Sequence, residues 1–179
     1  MTPSLQTITL GGGCFWCLEA VYERVRGVVS VESGYSNGHV HAPSYEQVCS
    51  GTTGHVEVVR VAFDPAQITL REVLEIFFVI HDPTTLNRQG NDSGTQYRSG
   101  IYFHDAAQEA VARDVLAEVN RHHDGRVVTE LEPERNYSRA EDYHQHYYAH
   151  HPNQGYCAIV VAPKVAKFEK TFASRVLPA

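Results

Sequence analysis

Three consecutive glycines, Gly11-Gly12-Gly13, separate a short β-prone segment (residues 5–10) from one whose apolar residues Phe15, Leu18, Val21, Tyr22 and Val25 recur at helical spacing. The spacing predicts a strand, a glycine turn and then a helix over residues 14–25, because glycine lets the backbone turn sharply without steric cost. Cys14 follows the last glycine, at the start of that helix. The free N–H groups and the dipole of a helix N-terminus favour the thiolate, the reactive form of cysteine, so Cys14 is expected to be a stabilised thiolate nucleophile rather than an inert core residue.

Further strands are expected at residues 28–35, 55–63, 98–103, 127–131 and 158–161, with helices at 70–80, 106–119 and 165–172. Residues 132–156 carry little pattern and many polar residues and tyrosines, the mark of a long functional or packed-down loop. The order predicts an α+β two-layer sandwich with a ferredoxin-like core and a long irregular C-terminal segment. No repeat, low-complexity tract or linker divides the chain, so 1–179 is expected to be a single domain.

The formal charge of −6 and pI near 6.0 argue against general binding to nucleic acid or to anionic membranes, both of which need clustered Lys and Arg. No apolar run approaches the roughly 18 residues of a membrane span, and the first ten residues lack a basic stretch followed by a long apolar one. The expected compartment is cytoplasmic, where Cys14, Cys17, Cys49 and Cys157 are catalytic, redox-active or inert rather than structural disulfides.

Cys14 and Cys17 form a C-x-x-C pair, which raises the alternative of a thioredoxin-like disulfide oxidoreductase. Against it, the insert Phe15-Trp16 would build an apolar pocket beside the sulfur, which a general disulfide exchanger does not need. The histidines His122-His123, His144, His146 and His150-His151 could supply metal ligands, but paired Cys/His spacing of a structural zinc site is missing, and no metal is expected.

The block Gly13-Cys14-Phe15-Trp16 resembles the signature of the A-type peptide methionine sulfoxide reductases. The resemblance continues, in family order, through Ser33-Gly34-Tyr35, Tyr45-Glu46-Gln47-Val48-Cys49-Ser50-Gly51, Thr53-Gly54-His55-Val56-Glu57-Val58, His81-Asp82-Pro83-Thr84, Asp92-Ser93-Gly94-Thr95-Gln96-Tyr97-Arg98-Ser99 and Asp142-Tyr143-His144-Gln145. Val56 departs from the Ala more usual there and leaves His55 and Glu57 intact.

The resemblance implies reduction of methionine-S-sulfoxide, free or in proteins, through a sulfenic acid at Cys14 and a disulfide recycled by thioredoxin, with no bound cofactor. It implies Glu57 as the acid, Tyr45 and Tyr97 as hydroxyl donors to the sulfoxide oxygen, Asp92 as a nearby acidic residue, and Phe15 and Trp16 as the methyl pocket. It also implies Cys157 as the resolving thiol, with Cys17 as the alternative. The residues themselves agree in part. A carboxyl in the apolar stretch Val56-Glu57-Val58-Val59 should be desolvated and hold its proton, although strand alternation alone would read Glu57 as an outward-facing residue.

Overall fold

The computed structural model describes residues 4–177; residues 1–3 and 178–179 of the expected domain lie outside them. Strand β1 (Gln6–Gly11) runs into helix α1 (Phe15–Tyr22), followed by β2 (Val28–Ser36), α2 (Tyr45–Cys49), β3 (Val56–Phe63) and α3 (Leu70–Ile80). The two-residue strands β4 (Arg88–Gln89) and β5 (Asp92–Ser93) pair with each other. Then come β6 (Gly100–Phe103), α4 (Ala106–His122), β7 (Glu130–Pro133), β8 (Ser138–Arg139), α5 (Tyr147–His150) and α6 (Ala162–Thr171).

The main sheet has the order β7-β6-β1-β3-β2-β8. Both β1 and β2 run antiparallel to β3, which lies between them, and β6 returns beside β1. The inner order β6-β1-β3-β2 with α1 and α3 as crossovers is the split βαβ arrangement of a ferredoxin-like core, as expected. Parallel β7 and antiparallel β8 extend it at the two edges.

Alternation decides the faces. Ile8, Leu10, Val59, Val61 and Phe63 point to the side covered by α1 and α3, where they pack with Leu18, Val21, Val73, Leu74 and Phe77. Full burial of each such large side chain is worth about 1.5–3 kcal/mol. Helix α3 forms with the expected limits because Thr69 and Glu72 close a capping box at its start.

The opposite face carries a small buried apolar cluster, Val56, Val58 and Tyr102, beside a polar network. There Glu134 receives Arg60 Nε at 3.0 Å and the Thr9 hydroxyl, while the Arg60 guanidinium lies 3.5 Å from the centre of the Tyr137 ring. Burial alone would raise the Glu134 carboxyl, but hydrogen bonds from His104, Arg60 and Thr9 hold it down at about 2.

Two expectations are corrected. The apolar run at 158–161, read as a strand, lies in a wide π-helical turn, Cys157–Val161, that continues into α6. Its buried residues Cys157, Val161, Val165 and Phe168 recur every three or four positions, so the run is the start of a helical face and not a strand. The strand expected at 127–131 pairs three residues later, at Glu130–Pro133, because its partner β6 begins only at Gly100.

Candidate active site

Gly13 has φ of +88°, a backbone conformation that glycine reaches freely, and this turns the chain from β1 into α1. Its N–H donates to the Tyr97 carbonyl at 3.2 Å, fixing the turn against the loop before β6. Cys14 is the residue that caps α1; its backbone is extended and its side chain makes no capping bond. The Phe15 N–H, one of the free donors of the first helical turn, donates to Glu57 Oε1 at 3.2 Å. Glu57 can do this because it is in phase with Val59, Val61 and Phe63, so β3 directs it to the helix side of the sheet, not outward.

Cys14, Phe15, Trp16, Tyr45, Glu57, Asp92, Tyr97 and Tyr156 line one cleft of about 180 Å³. Larger hollows of about 340 and 350 Å³ lie on the outer face of the sheet around His104, but their linings contain no thiol. The fold thus brings together seven residues that the sequence singles out and adds Tyr156, which it does not.

Burial pushes Glu57 up to about 8; Asp92 adds to the rise, and the hydrogen bond from Phe15 opposes it. At neutral pH the carboxyl therefore keeps its proton. Burial also drives the Cys14 thiol well above its ordinary range, and Glu57, Cys17 and Asp92 act in the same direction whenever they are ionised. Only the Trp16 N–H, from the helix start, favours the thiolate. The expected helix-stabilised thiolate is therefore corrected: the resting group is a thiol, because desolvation outweighs the one N–H, that of Trp16, that favours the thiolate, while the Phe15 N–H serves Glu57. Burial likewise keeps Tyr45 and Tyr97 protonated, as hydrogen-bond donors.

Aromatic side chains form the wall. Trp16 stacks on Tyr147 with ring centres 3.8 Å apart and planes 7° from parallel, and its indole N–H donates to His144 Nδ1 at 3.2 Å. The His144 ring lies 4.5 Å from that of Tyr45 and 5.2 Å from that of Phe15. The Tyr156 hydroxyl donates to Asp92.

The C-terminal segment is held in place by side chains acting as strand partners. Ser33 N–H donates to Gln145 Oε1 at 3.0 Å and Gln145 Nε2 donates back to the Ser33 carbonyl at 2.8 Å. Glu141 accepts the Tyr45 N–H at 2.9 Å and the Tyr35 hydroxyl at 2.8 Å. The segment 132–156, patternless in sequence, is thus a belt that carries His144, Tyr147 and Tyr156 to the cleft.

All four cysteines are free thiols. Cys17 and Cys157 are both buried in the core, whereas Cys49 is exposed. Of the histidines considered as metal ligands, His144 joins the aromatic wall and His146 pairs with Glu23 beside Glu19.

A thiol next to an acid that keeps its proton can take an oxygen atom from a substrate while that oxygen is protonated, which places the chain among thiol-dependent oxidoreductases. A family model described as peptide methionine sulfoxide reductase matches residues 6–176. The chain is 56% identical over 172 residues to the peptide methionine sulfoxide reductase MsrA of Saccharolobus solfataricus, covering 96% of this chain and 97% of that one. Among solved structures it is similar to reduced Mxr1 from Saccharomyces cerevisiae, with a TM-score of 0.80 and 39% identity over 86% of this chain and 89% of that one. It is also similar to Mxr1 in complex with Trx2, with a TM-score of 0.56 and 29% identity over 80% of this chain and 84% of that one. The chain belongs to the peptide methionine sulfoxide reductase family and is an oxidoreductase enzyme of that type.

Proposed function

We propose that residues 1–179 act as a single reductase domain that converts methionine-S-sulfoxide, free or in oxidised proteins, to methionine. The observation that carries this reading is the placement of Cys14 and a proton-holding Glu57 in one aromatic cleft, joined through the Phe15 N–H. Cys14 attacks the electrophilic sulfur of the sulfoxide, and Glu57 gives a proton to its oxygen and regains one from the Cys14 thiol. Atoms balance when Cys14 becomes a sulfenic acid and methionine leaves. Tyr45 and Tyr97 donate hydrogen bonds to the oxygen, Asp92 fixes Tyr156 at the cleft wall, and Phe15 and Trp16 hold the methyl group.

A second thiol, Cys157 or Cys17, then condenses with the sulfenic acid to a disulfide. A thioredoxin reduces it; the support is the relative Mxr1, solved in complex with Trx2. A dithiol reductant supplies both electrons, so the reaction asks for no bound cofactor or metal. Cytoplasmic action fits the cysteine usage; no helix among the described residues is long and apolar enough to cross a membrane.

The rival reading, a general C-x-x-C disulfide exchanger, is disfavoured by the burial of Cys17 and the aromatic enclosure of Cys14. Incubating reduced protein with each methionine sulfoxide epimer, and separately with an insulin disulfide, tests the two. One methionine released per enzyme from the S epimer, and none from Cys14→Ser, is expected. Oxidation by insulin with neither epimer consumed would establish the exchanger instead.

A further inference from the structure

Glu19 lies in the last turn of α1 and Glu23 is the residue that ends the helix, so the two carboxyls share one face where the helix dipole is negative. Glu19 is only 1% exposed, and it takes no part in the cleft. The helix offers the pair no cation: its last turn contains no basic residue, and Arg24 is directed to Glu169 and the Tyr148 ring. Among the described residues, no Lys or Arg forms an ion pair with either carboxyl. Buried carboxylates are normally held by a paired charge or by a metal ion.

The group that faces them is His146, from the belt, 123 positions from Glu23 in the chain. Its Nδ1 pairs with Glu23 Oε1, and one ligand atom from each of Glu19, Glu23 and His146 lies within 4.8 Å of the other two. Residues outside the group hold these donors in place. The Ser33 hydroxyl donates to Glu19 Oε2 at 3.3 Å, and the backbone of Ser33 is bonded on both sides to Gln145, the residue before His146. Supports of this kind orient metal ligands.

We propose that Glu19, Glu23 and His146 form a binding site for a divalent transition-metal ion of the zinc type, which clips the belt to the helix of the nucleophile. One imidazole nitrogen and two carboxylate oxygens, with water in the fourth position, make a tetrahedral zinc set, whereas magnesium and calcium prefer oxygen alone. With bonds of about 2.0–2.2 Å, the ligand atoms of such a site stand about 3.3 Å apart, so the ion enters between His146 and Glu23 and draws Glu19 toward it. His146 is exposed and Glu23 partly so, which opens the site to solvent while Glu19 forms its floor. The paired Cys/His spacing missing from the sequence is not needed, because two of the three ligands come from α1. His144 and Trp16, which meet in the cleft wall, lie two residues from His146 and three from Glu19, so the ion joins the same two elements that build the wall.

The test titrates reduced full-length protein with Co²⁺ as a spectroscopic stand-in, displaces it with Zn²⁺, and measures Zn²⁺ binding by calorimetry. One ion per chain is expected, with the weak visible bands of oxygen and nitrogen ligation and no intense thiolate-to-cobalt charge transfer in the near ultraviolet. His146→Gln and Glu23→Gln should each weaken Zn²⁺ binding at least about 100-fold, and Ser33→Ala, which removes only the hydroxyl on Glu19, about tenfold. Zn²⁺ should raise the unfolding temperature of wild type by mass action and leave that of His146→Gln unchanged. His150→Gln and His151→Gln, in the same histidine-rich segment, should bind as wild type does. These two ligand variants carry the test because a change at buried Glu19 also perturbs the core. No uptake of either ion, a thiolate charge-transfer band, or an affinity that survives loss of His146 or falls instead with His150 or His151 would overturn the site. None of these readouts depends on sulfoxide turnover, so the site stands or falls apart from the reductase reading.

Discussion

The backbone N–H of Phe15 donates to Oε1 of Glu57 at 3.2 Å, so the first turn of α1 is capped by a side chain from β3 rather than by its own capping residue, Cys14. One bond therefore sets the position of the acid relative to the nucleophile. It also commits one of the free N–H groups of the helix start to the carboxyl rather than to the Cys14 sulfur.

Replacing Glu57 by Gln keeps an oxygen for the Phe15 N–H but removes the proton donor. The first-turnover burst of methionine should slow by about 10²–10⁴-fold, the usual worth of general acid catalysis. In wild type the burst should fall as pH rises through about 8, where Glu57 loses its proton. Stability gives a second readout. The Glu57 value is raised on folding, so its favourable contribution is complete below the ordinary value of 4.5 and is lost as pH climbs through about 8. Urea midpoints should therefore shift in favour of Glu57→Gln between pH 5 and pH 9, and an unchanged difference would mean that Glu57 is ionised in the folded protein.

Gly13→Ala should be costly despite the smallness of the change. The position has φ of +88°, and an added Cβ would lie 2.9 Å from Cβ and Cγ of Gln89. Backbone strain of this kind costs about 1–3 kcal/mol. Gln89 Oε1 accepts the Asp82 N–H at 2.9 Å, so pushing it aside also disturbs the loop that carries Asp92. Urea unfolding should show the loss and the methionine burst should slow; a variant as stable as wild type would show that the turn can relax.

What could be read in the sequence followed from periodicity over enough residues. Leu70–Ile80 has three turns of consistent apolar spacing and a Thr69–Glu72 cap, and its limits come out as expected. The run at 158–161 offers four apolar residues, too few to separate strand from helix; the deciding residues are Val165 and Phe168 beyond it. Glu57 carries a subtler signal. Counted from Val59, Val61 and Phe63, alternation places it on the core side, but Val56 and Val58 are buried too, so polarity alone does not mark the solvent face. The resting protonation of Cys14 was out of reach, because it depends first on burial by the folded chain and only then on acids such as Glu57, 43 positions away (57 − 14). Tyr156 and Tyr147 reach the cleft only because Gln145 and Glu141 tie an unpatterned segment to β2 and α2.

On the outer face of the sheet, Glu134→Gln should destabilise the fold without touching the cleft. The carboxylate accepts charged or polar donors from Arg60, His104 and Thr9, and its side chain is only 11% exposed. Losing one partner of such a network costs about 1.5–3 kcal/mol. Because the Glu134 value is depressed to about 2, the stabilisation is present above the ordinary value of 4.5 and is lost as pH falls toward 2. Denaturant unfolding should therefore separate wild type and variant at pH 7 and bring them together near pH 2–3; a constant gap would trace the loss to packing rather than charge.

His144 makes the cleft wall sensitive to acid. Its Nδ1 must be unprotonated to accept the Trp16 indole N–H, and burial lowers its pKa below 6.5. A histidine depressed on folding contributes stability that is present above its unfolded value and lost as pH falls through the folded one. Protonation would set two donors face to face, Nδ1–H against the indole N–H, and one ring must turn. Trp16 is the sole tryptophan, stacked on Tyr147, so its fluorescence reports on this contact directly. The emission should change on the acid side of pH 6.5, before far-ultraviolet circular dichroism shows unfolding. His144→Phe keeps an aromatic ring in the wall but cannot accept the bond, so it should abolish that transition. It should also raise KM about fivefold with little effect on kcat, the worth of about 1 kcal/mol of lost positioning. Emission that stays flat until the chain unfolds, or an equal fall in kcat, would show that the indole is held by its stacking on Tyr147 alone.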